Sequence, residues 1–160
     1  PHLLDERIKN ANYLAEKLQA IPGILPPVIE PGSKHVYYQQ PFKFKREIIG
    51  VDRNIFIDAV KAEIPSAKLR EDTPLLSTGY VKPLYLQPLY QKRATHCSFN
   101  CEKYKGAVDY SKGICPNVEK LHFQELFSNE YMRPGMSKTD MNDVISAFYK
   151  VAENVNELKK

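Results

Sequence analysis

Apolar residues recur at helical spacing from Leu3 to Ala20, with Leu4, Ile8, Ala11, Ala15 and Leu18 on one side and Asp5, Glu6, Lys9, Glu16 and Lys17 on the other. The pattern predicts an amphipathic helix. Ile21-Pro22-Gly23 ends it, because proline disfavours the helical conformation in the residue before it and glycine permits the turn that follows. Its start has only a weak cap in Asp5, since the apolar stripe already begins at Leu3. Pro26, Pro27 and Pro31, without periodicity, predict an extended connector from Leu25 to Gly32. His35-Val36-Tyr37-Tyr38-Gln39-Gln40 and Phe42-Lys43-Phe44-Lys45 then read as one long aromatic strand, with Pro41 at a bulge or an edge. Glu47 to Val51 reads as a returning strand or a turn. Asp52 is an N-cap for a second helix, Arg53 to Glu63, whose buried stripe is Ile55, Phe56, Ala59, Val60 and Ala62.

Pro65 closes that helix, and residues 66–78 read as loop. Gly79 to Tyr90 is an extended segment interrupted by Pro83 and Pro88, which lack the amide donor a central strand needs. Residues 91–114 have no clear period. Pro116 suits the first turn of a short helix to about Phe127, and Ser128 to Met136 reads as loop. Ser137-Lys138-Thr139-Asp140 resembles a helix start, followed by Met141, Val144, Ile145, Phe148, Val151, Ala152 and Val155 on one face of a terminal helix. Helices at both ends, a middle helix and aromatic strands predict an α+β domain with a small antiparallel sheet covered on one face.

Composition narrows the class. At 160 residues the chain is one domain in size. A formal charge of +4, from 23 basic and 19 acidic residues, is too small to announce a nucleic-acid partner. No run approaches the roughly 18 to 20 apolar residues of a membrane span, and nothing resembles a signal peptide, so a cytoplasmic setting is expected. Cys97, Cys101 and Cys115 are too few for a disulfide scaffold, and reduced thiols are expected. Pro1, in place of a methionine, reads as a cut chain.

His96, Cys97, Cys101, Cys115 and His122 are the residue types of a zinc site, but they lack a CxxC knuckle, so scattered small apolar thiols are the preferred reading and no metal is expected. No nucleophile elbow, zinc-protease helix, P-loop or dinucleotide fingerprint is present. Tyr37-Tyr38 beside Phe42-Lys43-Phe44-Lys45 has the residue types that stack on bases and neutralise phosphates, yet a half-exposed aromatic strand gives the same pattern. Tyr80 to Tyr90 holds three tyrosines, one lysine and two prolines in eleven residues. Aromatic faces, hydroxyls and a positive charge on a stiff strip suit a polyhydroxylated, anionic ligand. A free-standing module that uses the strip for a glycan, a nucleotide or a protein, and a zinc-stabilised interaction domain, stay open at this point.

The order of motifs carries a further reading. Arg7-x2-Asn10-Ala11-x2-Leu14 leads to Ile21-Pro22-Gly23-Ile24 and then to His35-Val36-Tyr37-Tyr38. Gly50-Val51-Asp52-Arg53-x2-Phe56-x2-Ala59 follows, then Gly79-Tyr80-x2-Pro83-Leu84-Tyr85-x2-Pro88, Cys115-Pro116-x2-Glu119-x-Leu121 and the closing helix from Asp140 to Val151. Over nearly the whole chain this resembles the C-terminal region of the DegT/DnrJ/EryC1/StrS aminotransferases, the sugar aminotransferases that use pyridoxal 5′-phosphate (PLP). The resemblance implies a small C-terminal α+β domain, residues 1–160, of a larger enzyme whose PLP-binding domain lies outside this chain. The parent would move an amino group, usually from glutamate, to a ketone on a nucleotide-linked sugar or related cyclic ketone. It would be a homodimer. The catalytic lysine is implied to lie elsewhere, so neither activity nor bound PLP is expected of this chain alone. In the family the segment matching Gly79 to Tyr85 lies at the active-site mouth, which marks Tyr80 and Lys82 as substrate contacts, Tyr85 next, and His35 and Tyr37 as further candidates. Many members carry histidines where this chain has Gly79 and Tyr85.

Overall fold

The computed structural model describes residues 2–64, 75–92, 106 and 108–159. The elements run α1 (His2–Leu18), β1 (Ile24–Leu25), β2 (Gln40–Phe44), α2 (Arg46–Ile49), α3 (Arg53–Glu63), β3 (Leu76–Thr78), α4 (Pro88–Gln91), α5 (Pro116–Lys120), β4 (Leu126–Asn129) and α6 (Lys138–Glu153). Single 3-10 turns stand at Leu84–Leu86 and Val155–Lys159, and a π turn at Leu121–Glu125. The four strands form one antiparallel sheet in the order β1-β2-β4-β3. This is the expected α+β domain.

The three long helices span the predicted residues, but α3 buries Arg53, Phe56, Ile57 and Val60 and turns Ile55 and Ala62 to solvent, against the stripe expected of it. Ser137 begins α6 with a full capping box, its hydroxyl accepting from the Asp140 amide at 3.1 Å while the Asp140 carboxylate accepts from the Ser137 amide at 2.7 Å. Asp52 stands at the N-cap of α3 without capping it, because its carboxylate is paired with Arg46 at 2.7 Å.

The sheet and the strap beside it depart from expectation in three places. The aromatic strand does not start at His35: Tyr37 has a φ of 50°, and its amide donates to Nδ1 of His35 at 2.9 Å, a local bend that pairing cannot cross. Pro41 stands on an edge, as expected, because β1 ends opposite Lys43. Leu76–Thr78 and Leu126–Asn129, read as loop or helix end, are strands that pair with each other. Residues 84–91, read as extended, form a 3-10 turn and a short helix with Pro88 at its first position.

Side chains alternate across a strand, so Gln40, Phe42 and Phe44 point to one face together with Phe127 and Asn129. On that face the rings form a chain: Phe42–Phe127 at 5.2 Å, Phe127–Phe148 at 5.7 Å, Phe148–Phe56 at 6.1 Å and Phe56–Phe44 at 5.3 Å. They join the sheet to α3 and α6, each adding an aromatic contact to its area burial. The buried amide of Gln40 donates to the Ala11 carbonyl at 2.6 Å and accepts from Asn129 at 2.8 Å, which ties α1 to the sheet without leaving a polar group unpaired.

Candidate functional site

The bend at Tyr37 sorts two neighbouring tyrosines. Tyr37 turns inward, 1% exposed, and its hydroxyl donates to Asn12 at 2.7 Å, while Tyr38 turns outward, 73% exposed. The backbone carbonyl of Tyr37 accepts from Arg7 at 3.3 Å, and this holds the arginine beside Tyr38. Arg7, Tyr38, Gln39, Glu130, Met132 and Arg133 line a polar cleft of about 460 Å³ at the Gln40–Asn129 end of the β2–β4 ladder. Gln39 donates to Glu130 at 3.1 Å, and Arg133 pairs with the same carboxylate.

Tyr80 does not line this cleft but touches Tyr38 at its rim. Its hydroxyl donates to that of Tyr38 at 3.3 Å, and the Tyr80 phenol is pushed up by that bond, with smaller effects of burial and of negative charge at Tyr38 and Glu130. Two tyrosine hydroxyls therefore meet beside a cleft that carries two guanidiniums and one carboxylate. Such a set can stack on a ring and bind hydroxyl and anionic groups beside it.

What places Tyr80 is a backbone device. Gly79 has a φ of +70° and donates to the Leu126 carbonyl at 2.7 Å, and a Cβ there would stand 2.9 Å from the His122 carbonyl oxygen. Only glycine fits. The same hypothetical Cβ would meet the His122 ring at 3.0 and 3.1 Å, so an imidazole from residue 122 packs where relatives were expected to carry a histidine at 79. Nδ1 of His122 accepts from the Tyr80 amide at 3.4 Å. Burial, and then the nearby charge of Arg53, pull the His122 imidazole below its ordinary range, which keeps it neutral and able to accept.

Arg53 in turn holds His122. Its guanidinium is buried, and all five of its donors are used: two on the carbonyls of His122 and Leu126 at 2.8 and 2.7 Å, one on that of Phe123 at 3.0 Å, and two on Asn54. The π turn leaves those carbonyls outside any helical ladder, and the arginine satisfies them.

Among the residues expected at the site, Tyr80 stands beside the cleft, in contact with Tyr38. Lys82 is exposed on the same strap, and its carbonyl accepts from Gln87 at 2.7 Å. Tyr85 turns the other way: its hydroxyl donates to Glu119, which also accepts from the Gly113 amide at 2.6 Å. Burial, then that hydrogen bond and the Glu119 charge, push the Tyr85 phenol up to about 12. His35 and Tyr37 pack against each other at 4.3 Å, and neither lines the cleft. Tyr38, Arg7, Glu130 and Arg133 were missed as site residues. Only the exposed aromatic at 38, next to a buried one, carries any signal of this in the sequence. Of the zinc-type residues, His96, Cys97 and Cys101 lie outside the described residues, and among the described residues no group of three or more His, Cys, Asp or Glu side chains is gathered for a metal.

No family model matches this chain, and no curated protein does. Solved structures do. S. venezuelae DesV, solved in complex with a ketimine intermediate, superposes with a TM-score of 0.65 at 21% identity, over 95% of this chain and 32% of that one. A DegT DnrJ EryC1 StrS aminotransferase from Brucella abortus gives 0.60 at 19%, over 94% and 31%. The aminotransferase TlmJ from Streptoalloteichus hindustanus gives 0.61 at 16%, over 100% and 34%. The fold is that of a part of an aminotransferase. The chain spans about a third of the length of these structures, so the likeness is to a portion of each, the size expected of the small domain. No helix among the described residues is long and apolar enough to cross a membrane.

Proposed function

We propose that this chain is the small domain of a PLP-dependent aminotransferase that aminates the ketone of a nucleotide-linked sugar or related cyclic ketone, with glutamate as donor. The observation that carries the reading is the fold likeness to aminotransferases over at least 94% of this chain and only about a third of theirs. The parent would act as a homodimer in the cytoplasm.

In this reading the cofactor is held by the larger domain of the parent, not by the tyrosine cleft. No lysine lines the tyrosine cleft, and the best-shielded ion-paired lysines, Lys45 and Lys61, are engaged by Glu125 at 3.2 Å and Asp58 at 3.2 Å. The chain's own part in this reading is to shape the substrate mouth. Tyr38 and Tyr80 present ring faces and hydroxyls to a sugar or base, Arg7 and Arg133 attract its anionic part, and Lys82 on the strap adds a mobile charge.

The test is expression of the complete open reading frame beside the 160-residue chain. The full protein is expected to transfer the amino group of glutamate to a keto nucleotide sugar, and Tyr80→Ala to raise KM far more than it lowers kcat. The 160-residue chain should leave the PLP absorbance spectrum unchanged and show no turnover. A complete frame without a PLP-lysine domain, or a lysine-type PLP spectrum on the short chain, overturns the reading.

A further inference from the structure

β3 ends at Thr78, and the chain leaves the sheet through Gly79 onto the strap. Gly79 and Pro83 are buried, but the three residues between them are exposed, Tyr80 at 47% and Val81 at 66%. Such a stretch has little core contact to fix it, so Tyr80 stands where its polar groups are held. Its amide donates to Nδ1 of His122 at 3.4 Å, and its hydroxyl donates to Tyr38 at 3.3 Å. The second bond joins two exposed phenols and competes with water, which leaves the first as the tie between Tyr80 and the body of the domain.

His122 is itself fixed from three sides. Arg53 donates to its carbonyl at 2.8 Å, and the Phe123 ring stands at 86° to its own, 4.7 Å away. Gly79 lies so close that a Cβ there would stand 3.0 Å from Cε1 and 3.1 Å from Nδ1, so it is the missing side chain at 79 that lets the imidazole reach the Tyr80 amide.

A neutral imidazole has one acceptor nitrogen and one donor. Acceptance at Nδ1 puts the proton on Nε2. A second proton turns Nδ1 into a donor that faces the Tyr80 N–H, and the bond is lost. The surrounding charges do not offset this. Arg53, from α3, is a cation acting on the ring, and Lys112 lies over the neighbouring Phe123 ring at 4.7 Å. The Tyr80 phenol, from the strap, is turned to Tyr38, and Glu125, on the same turn as His122, is taken up by Lys43, Lys45 and Lys120.

We propose that His122 is a positioning residue for Tyr80: the neutral imidazole holds the strap with the Tyr80 hydroxyl on Tyr38 at the rim of the cleft, and protonation of the imidazole releases it. What Tyr80 does for a substrate rests on the aminotransferase reading, whereas the hold itself does not.

NMR of the 160-residue chain tests it. On titration from neutral pH down through the His122 transition, the Tyr80 amide shift and the Overhauser contact between the Tyr38 and Tyr80 rings should change at the midpoint of the His122 ring signals. His122→Phe keeps a ring beside Phe123 but has no acceptor. It should lose the Overhauser contact at every pH, and its Tyr80 amide should exchange with solvent about fivefold faster at neutral pH, the effect of one net hydrogen bond. His122→Asn sets an amide oxygen near the place of Nδ1 and does not titrate, so it should keep the contact across the whole range. Circular dichroism checks that each variant is folded, and the wild-type titration decides alone if neither is. A contact that survives in His122→Phe, that fades in His122→Asn at the wild-type midpoint, or that changes at a midpoint other than that of His122 overturns the proposal. In the complete protein, His122→Phe should raise KM for a keto nucleotide sugar severalfold, and His122→Asn should restore it. An unchanged KM beside a lost contact supports the hold and overturns the reading of the strap as a substrate mouth.

Discussion

Replacing Arg53 by methionine removes the guanidinium that holds the π turn while keeping most of the stem that packs under it. The Leu126 carbonyl keeps a partner, because the Gly79 amide donates to it at 2.7 Å, and Asn54 is exposed and turns to water. The carbonyls of His122 and Phe123 are left without the donors they had at 2.8 and 3.0 Å. An unsatisfied buried acceptor costs about 1–3 kcal/mol, so the two together come to roughly 2–6 kcal/mol. Against this, the variant no longer buries a charge, and the lowered proton affinity of Arg53 shows that burial opposes that charge. The expected net loss is about 3 kcal/mol, or a fall in Tm of roughly 6–12 °C for a chain of this size. Arg53→Lys keeps a charge but lacks the planar fork, and should lose about half as much. Urea unfolding followed by circular dichroism gives both values. Loss of the Arg53 charge should also raise the His122 pKa by proton NMR, since that charge is the second cause of its depression after burial. A methionine variant within about 1 kcal/mol of wild type, or a lysine variant equal to wild type, would refute the account of the turn.

Gly79→Ala places a Cβ 2.9 Å from the His122 carbonyl at a φ of +70°, and is expected to cost about 2–3 kcal/mol and to broaden the Tyr80 amide resonance. Ser137→Ala removes the capping-box hydroxyl of α6 and should cost about 1 kcal/mol in urea unfolding, with Ser137→Asp close to neutral. Stability should fall on the acid side in two stages. His122, depressed in the fold by burial and then by Arg53, contributes stability that is complete above its unfolded value of 6.5 and is lost as pH drops through its lower folded value. The second stage comes from Glu119 and Glu125. Glu119 is held low by Tyr85 and Gly113, and Glu125 by Lys45 and Lys120 against the upward push of burial, so both contribute above the unfolded value of 4.5 and fade below it. Thermal melts from pH 8 to pH 3 read both stages, and His122→Gln should remove the first and leave the second.

The site was partly legible. Tyr80 stood out because the resemblance sets its segment at the active-site mouth, and the structure puts its hydroxyl against Tyr38, which lines an open polar cleft. Its partners were hidden, since Arg7 lies on α1, Tyr38 before β2, and Glu130 and Arg133 after β4. Tyr85 looked equivalent to Tyr80 in the sequence, yet it faces Glu119. A 3-10 turn at Leu84–Leu86 rotates the strap in a way that a reading as extended chain does not contain.

What the sequence by itself determined are the features a chain encodes within a few residues. These are the extents of α1, α3 and α6, the Pro-Gly stop after α1 and the capping box at Ser137. Each depends on spacing along one helix, so no distant partner is needed to recognise it. Only the tertiary structure decided β3 and β4, because strands of three and four residues hold too few alternations to declare themselves, and exist by pairing across the sheet. The tertiary structure also decided that a buried arginine would hold a π turn, that the turn would carry His122 to Gly79, and that two tyrosines 42 residues apart would touch. Those contacts form where separate elements converge, and local spacing does not contain that geometry.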